Sequence, residues 1–335
     1  MAVFSLQAQT VSATLKQHAG QQITLTGFDY YSPQELGKTL ADSLGFFTLS
    51  YPKDYKGMGL LKSQDQSSLL LVLSEETIVI EGTHLKDLAS LSFTNSPANT
   101  RLEYYAKAQG LYTNALSAWG YLENLYANEA LFMELKKVKK TIAEEQERIA
   151  EEELRFIDDL DQDSFLAWFI PYRKHLQGLP QIVKEQPERI PESIDYFRST
   201  DFNNPYFKTS GLFKEWVETH YILLQNMGQD LDSVYKEMNL STQYLIDHLQ
   251  ENESLLNRVS NELFNYFEKH SLFEASEYLS LSLLNNSQCS LDENLAAKLE
   301  AYRKLKVGTT APDIVLNKGK LSELKLNKLL VFGAS

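Results

Sequence analysis

The sequence predicts an α+β protein of several domains. An antiparallel β-sandwich or small barrel comes first, an all-α region follows, and the opening strand or strands of a further, incomplete domain close the chain. Three observations carry this reading. Apolar and polar residues alternate at period two through residues 10–95. Beyond Pro97 the apolar spacing changes to three and four and stays there to about residue 305. From Lys306 onward a Gly-x-x-Ala-Pro-Asp turn precedes two short apolar runs, Ile314-Val315-Leu316 and Leu329-Leu330-Val331-Phe332.

The β-region reads strand by strand. QITLTGF carries Ile23 and Leu25 on one face, and LGFFTLSY carries Phe47, Leu49 and Tyr51. GMGLLK, SLLLVL and TIVIEG follow at intervals of about ten residues, separated by breaks rich in Gly, Pro, Asp and Ser. The first ten residues, MAVFSLQAQT, have the small-residue end of a secretory leader at Leu6-Gln7-Ala8. Residues 1–9 are therefore read as a leader remnant or tag, which implies export to the periplasm or cell envelope.

Asn95-Ser96-Pro97 stops the last strand and caps the first helix, with Pro in its opening turn. Residues 96–305 read as a helical domain. Its first helix aligns Tyr105, Tyr112, Trp119 and Tyr126 in one heptad stripe, which is the pattern of a face packed against a partner helix. Tyr104 and Tyr121 fall off that stripe and are expected at the surface. The next apolar series starts at Leu131, and the charge run KKVKK…EEQERIAEEE gives it a solvated outer face laced by i,i+4 pairs. Beyond residue 163 short helices are expected, with breaks at Gly178-Leu179-Pro180, Asn203-Asn204-Pro205, Gly228 and NNSQCS.

Composition excludes several functions. The chain has 335 residues, with 45 acidic against 32 basic, a formal charge of −13. Such a surface repels phosphate backbones and anionic lipid, so no nucleic-acid partner is expected. The longest apolar run, LLLVL at 69–73, falls far short of the roughly 18 residues that span a bilayer.

The stretch KVGTTAPDIVLNKGKLSELKLNKLLVFGAS, residues 306–335, resembles the opening of a thioredoxin-like domain of the TlpA/AhpC-TSA family. In that family APD-φ-x-L precedes the first strand, and a buried strand ending VFWAS runs into Trp-Cys-x-x-Cys. Gly333 stands where the family has Trp, and no Cys-x-x-Cys is present. The segment 38–62 is similar to the small β-domain at the front of envelope thioredoxin proteins of Bacteroidetes. There Asp42, Gly45, Phe47 and Leu49 hold the places of one hairpin, and Tyr55, Gly57 and Leu61 those of the next strand. IDYFRSTDFNNPYFKTSGLFKEWVETHY is similar in pattern to the helical middle region of the same proteins, with Thr209-Ser210-Gly211 in place of the usual Ser-Pro. The resemblance implies a parent protein that exchanges disulfides, and a chain truncated just before the residues that do so. It also implies disulfide-bearing protein clients and a homodimer as partners. A free-standing envelope module that binds peptide or glycan is the alternative.

No catalytic, cofactor-binding or metal-binding residue and no cofactor is expected. Disulfide exchange needs a thiolate and usually a resolving thiol two residues away, whereas the one cysteine, Cys289, lies in NNSQCSLDEN. The cluster Asp158, Asp159, Asp161, Asp163 fails as a calcium loop started at Asp159, because the places that need Gly and Glu hold Ser164 and Ile170. Asp163 is read instead as a helix cap. The six histidines (18, 84, 175, 220, 248 and 270) include no i,i+4 pair of the kind that grips zinc from one helix. Phosphate-cradling and nucleophile-elbow motifs are also absent from the sequence.

Overall fold

A computed structural model describes residues 9–74, 77–285 and 293–304 and two short strands beyond them, Val315–Leu316 and Gly319–Lys320. The chain is a mixed α+β protein. Its strands are β1 (Gln9–Leu15), β2 (Gln22–Asp29), β3 (Ser32–Leu40), β4 (Phe46–Tyr51), β5 (Gly57–Ser63), β6 (Ser68–Leu73), β7 (Thr77–Gly82) and β8 (Ser92–Thr94). They form two four-stranded sheets, ordered β4-β1-β7-β8 and β3-β2-β5-β6.

Period-two alternation decides which side chains the sheets bury. Val11, Ala13 and Leu15 point inward from β1, Ile23 and Leu25 from β2, and Phe47, Leu49 and Tyr51 from β4, all into one core shared by both sheets. Strands β2, β4, β5, β6 and β7 are those the alternation predicts. The expectation of wholly antiparallel sheets needs correction, because β1 pairs with β7 in parallel, Val11 opposite Ile78 and Ala13 opposite Ile80. A parallel partner cannot come from a hairpin, and β1 lies more than sixty residues before β7, so no local turn signal encodes the pairing. Strand β1 also includes Gln9, the last residue assigned to the leader.

The residues behind the envelope-family resemblance have structural work here. Asp42 Oδ1 accepts from the N–H groups of Leu44 and Phe46, both at 2.8 Å, closing the turn into β4. Gly45 has φ +80°, and a Cβ there would overlap the Leu15 carbonyl. The buried Tyr55 hydroxyl accepts from Phe28 N–H at 2.7 Å and donates to the Met58 carbonyl at 2.8 Å. Burial pushes the Tyr55 phenol up to about 12.

Ten α-helices follow among the described residues: α1 (Pro97–Asn128), α2 (Lys136–Asp158), α3 (Phe165–Glu185), α4 (Ile190–Arg198), α5 (Tyr206–Ser210), α6 (Phe213–Gln225), α7 (Leu231–Leu249), α8 (Glu253–Lys269), α9 (Phe273–Asn285) and α10 (Glu293–Lys304). The break expected at Gly178-Leu179-Pro180 does not occur. Helix α3 runs through Pro171 and Pro180, because Leu176, Leu179 and Ile182 are buried along one face and outweigh the missing N–H groups. Gly211, at the departure from Ser-Pro, has φ +74°, a left-handed conformation that proline's ring forbids.

The chain divides into two compact units. The first holds the chain up to Gln186 together with Asn204–Thr219: both sheets, α1, α2, α3 and α5. Within it α5 lies on the β2 and β5 side, where the Thr209 hydroxyl donates to the Lys56 carbonyl and occupies the space that a side chain at Gly57 would need. The second unit holds Pro187–Asn203 and the chain from His220, built around α7, α8 and α9 with Met238, Leu245, Val259, Phe267 and Leu279 inside.

In the first unit α1 is tied to the β-structure by one side chain. Asn99, buried in the opening turn of α1, accepts from Val72 N–H and donates to the Val72 carbonyl, both at 2.8 Å. It thereby completes the free edge of β6, and its amide also donates to Ser96 Oγ. Replacing Asn99 by Leu leaves two buried backbone groups unpaired and should lower stability by about 2–4 kcal/mol in urea unfolding. Asn99→Asp should be at least as damaging at pH 7, since a carboxylate cannot donate to the Val72 carbonyl.

Candidate functional site

Helices α1 and α2 pack along each other as a hairpin, and a concavity lies between them. Its two walls follow from the heptad stripe. Tyr105 is buried, while Tyr112, Trp119 and Tyr126 are half-buried along the seam. Tyr104 and Tyr121, off the stripe, are 59% and 70% exposed. Tyr104 and Tyr105 flank Phe156 of α2, with ring centroids at 5.6 and 5.4 Å. The groove has a volume of about 460 Å³, and Arg101, Arg155, Glu152 and Tyr112 complete its rim.

Its floor is a buried polar network. Glu153 accepts from the Tyr105 hydroxyl at 2.9 Å and pairs with Lys174 of α3 at 2.9 Å. Burial first, and the Glu153 charge second, hold the Tyr105 phenol well above its usual range. Tyr112 is raised as well, by desolvation and by Glu152. Both phenols therefore stay protonated and serve as donors. Such walls can hold a flat or apolar group and bind its polar edge. The residues that line the groove include no nucleophile–base pair.

A second cluster was invisible to local spacing. His18 follows β1, Asp65 lies in the β5–β6 turn, and His84 follows β7, so the fold assembles residues far apart in the chain. His84 Nε2 lies 3.1 Å from Asp65 Oδ2, His18 Nδ1 lies 4.0 Å from it, and the two rings are 4.5 Å apart. The three present one donor atom each toward a common point, as a metal site would.

Hydrogen bonding decides against that use as built. His18 Nε2 accepts from Leu85 N–H at 3.1 Å, and His84 Nδ1 accepts from Lys86 N–H at 3.0 Å. A neutral imidazole has one proton, so it sits on the inward nitrogen in both rings. His18 Nδ1–H donates to Gln21 Oε1, and His84 Nε2–H donates to Asp65. Metal-ligating histidines show the reverse, with the outer nitrogen donating. The cluster is a clamp joining three connections of the β-structure.

The second unit has a buried chain of its own. His220 Nε2 lies 2.8 Å from Ser241 Oγ, Arg198 Nε donates to the same oxygen, and Arg198 pairs with Glu237 at 2.7 Å. The His220 ring stacks on Phe197 at 3.6 Å. Ser241 is fully buried, which gives a substrate no route to it, so this resembles a nucleophile–base pair only in its atoms. Sequence reasoning paired none of these residues, because the contacts cross between helices.

The remaining sequence candidates fall as follows. In the acidic cluster Asp161 Oδ1 accepts from Asp163 N–H, and the cap of α3 is Ser164, which accepts from Ala167 N–H, one residue beyond the expected Asp163. His175 lies beside Trp216, His248 stacks on Tyr244, and His270 lies tilted against Tyr266. Cys289, the leader residues 1–8 and most of the thioredoxin-like stretch lie outside the described residues. No protein-family model, curated protein or solved structure matches the chain.

Asp65 gives the β-structure a pH dependence. Hydrogen bonds from Ser63 first, then from Ser67 and His84, hold its carboxyl far below the usual carboxylate range. A depressed folded-state pKa stabilises fully above the unfolded value of about 4 and loses that contribution as pH falls below it. Asp65 is partly exposed, so the effect is below about 1 kcal/mol after solvent screening. In Asp65→Asn the drop in unfolding free energy between pH 6 and pH 3 should shrink by that amount.

Proposed function

We propose that this chain is a non-catalytic interaction module, the accessory region of an exported thiol–disulfide protein of the thioredoxin family. One observation carries the interaction half of this reading, the contrast between the two helices of the hairpin. The outer face of α2 is charged and cross-linked by Lys140–Glu144, Arg148–Glu145, Arg148–Glu152 and Arg155–Glu151, as a solvated helix should be. On α1 residues 108–122 contain no charged side chain, yet that stretch exposes Leu111 and Tyr121, each at 70%. A solvent-facing helix gains nothing from such a surface, whereas a protein contact does.

The redox half rests on the resemblance of residues 306–335, and the envelope location rests on the leader-like start. Under this reading the two sheets act as a platform in a sandwich-type domain, and disulfide-bearing proteins are the clients. The chain alone should add no turnover to the dithiothreitol background in an insulin-reduction assay, and Cys289→Ser should change nothing. Turnover that Cys289→Ser abolishes would overturn the non-catalytic assignment.

The aromatic groove favours a second reading, a module that binds peptide or glycan. Tyr104 would then stack on the ligand opposite Phe156. Saturable binding of a peptide or oligosaccharide panel by calorimetry, weakened about fivefold or more in Tyr104→Ala, would select it. Stacking is worth roughly 1 kcal/mol or more per ring.

A further inference from the structure

The turn that joins α1 to α2 is closed from within, and it turns its apolar side chains outward. The Glu129 carbonyl accepts from the N–H groups of Phe132 and Met133 at 2.9 and 3.1 Å, and the Phe132 carbonyl accepts from Leu135 N–H at 3.1 Å. Phe132 lies against Tyr126, with ring centroids 5.1 Å apart. Leu131, Met133 and Leu135 are left 82%, 48% and 47% exposed. Three large apolar side chains within five residues form a patch, unlike the single hydrophobics scattered over any surface. Lys136, Lys137, Lys139 and Lys140 follow at once, all exposed. Lys140 pairs with Glu144 at 3.4 Å, and the other three form no ion pair among the described residues.

Helix stability does not account for this surface. A helix macrodipole favours acids in the first turn and bases in the last. Helix α2 is charged the other way round, with lysines at its start and six glutamates against one arginine over residues 144–153. Its N-cap is Leu135, and no side chain there accepts from the first-turn N–H groups. We propose that the hairpin tip docks on an anionic phospholipid surface. Leu131, Met133 and Leu135 enter the headgroup region, and the lysines meet the phosphates around them.

Residue type selects lipid over a protein partner. Protein contacts favour arginine and are depleted in lysine, whereas residues 129–140 hold four lysines, two glutamates and no arginine. Lysine stems lie along an acyl boundary while their ammonium groups stay at the phosphates. A nucleic acid would use the lysines and leave the apolar patch in water. The positive end of the α2 dipole adds to the same local field. The formal charge of −13 keeps the remaining surface off an anionic bilayer, so contact is confined to the tip. From Asn99 to Asn128 helix α1 spans about 44 Å at 1.5 Å per residue, which sets the tip that far from the residue tied to β6. Each lysine near an anionic surface strengthens partitioning about fivefold, so the three unpaired ones contribute about a hundredfold together.

The test mixes the full chain with vesicles of phosphatidylcholine alone or with about 30% phosphatidylglycerol, and reads binding by flotation at about 0.1 M salt. The chain should bind the anionic vesicles and leave the neutral ones, more weakly as salt rises. Lys136→Gln, Lys137→Gln and Lys139→Gln together should lower the partition coefficient about a hundredfold. Leu131→Ser with Met133→Ser keeps every charge and should lower it about tenfold or more. All five positions are exposed, so the helical circular dichroism of both variants should match wild type. In a Cys289→Ser background, an environment-sensitive dye on Met133→Cys should shift to the blue on anionic vesicles, and one on Glu147→Cys should not. A chain that ignores anionic vesicles overturns the proposal. So does binding that the triple lysine variant leaves intact, or binding with no shift at residue 133. Binding to poly-glutamate without binding to vesicles overturns it in favour of an acidic protein partner. Failure of the accessory-region reading shows itself separately, as insulin turnover.

Discussion

The attachment of the helical hairpin to the β-structure turns on a single amide. A β-sheet edge carries unpaired backbone groups that must be covered or left to solvent, and β6 is such an edge. Asn99 satisfies both groups of Val72 from a position in the first turn of α1, acting as a one-residue strand. Its side-chain amide supplies the donor and the acceptor together, which a carboxylate or an apolar side chain cannot. Ser96, which takes the remaining amide hydrogen, fixes the rotation of Asn99 at the helix start. The direction in which α1 leaves the sheet is therefore set by hydrogen bonds, and the placement of everything on the hairpin follows from it.

How far the sequence discloses this arrangement depends on the range of each interaction. Alternation along β2, β4 and β7 identifies their inward residues, since the period of a strand is local. The heptad stripe of α1 separates buried Tyr105 from exposed Tyr104 for the same reason. Pairings made by the fold escape: β1 beside β7, His18 beside Asp65 and His84, Ser241 beside His220. Each joins residues from separate elements, and no spacing rule reaches that far. Helix α3 marks another limit. Local chemistry reads Gly178-Leu179-Pro180 as a stop, and burial of Leu176, Leu179 and Ile182 overrides it.

The His18–Asp65–His84 cluster shows why residue types in proximity do not make a metal centre. Its composition would suit a divalent ion, and its atoms converge. The protons stand in the way, held on the inward nitrogens by two backbone N–H groups that the outer nitrogens must accept. The β-segment that resembles envelope proteins teaches a similar lesson. Asp42, Gly45, Tyr55 and Gly57 each answer a steric or hydrogen-bonding need of the β-structure. Their presence is evidence about architecture and says nothing of chemistry.

Strand β1 lies at the centre of its sheet, flanked by β4 on one side and β7 on the other. It is also the first segment of the β-structure to be synthesised. An emerging chain must hold one edge of β1 unpaired until Ile78 and Ile80 exist to lie beside Val11 and Ala13, so the earliest of these strands waits more than sixty residues for its second neighbour. Such non-local closure is slow compared with hairpin formation. Throughout that interval an apolar ribbon stays open to chaperones and to mispairing.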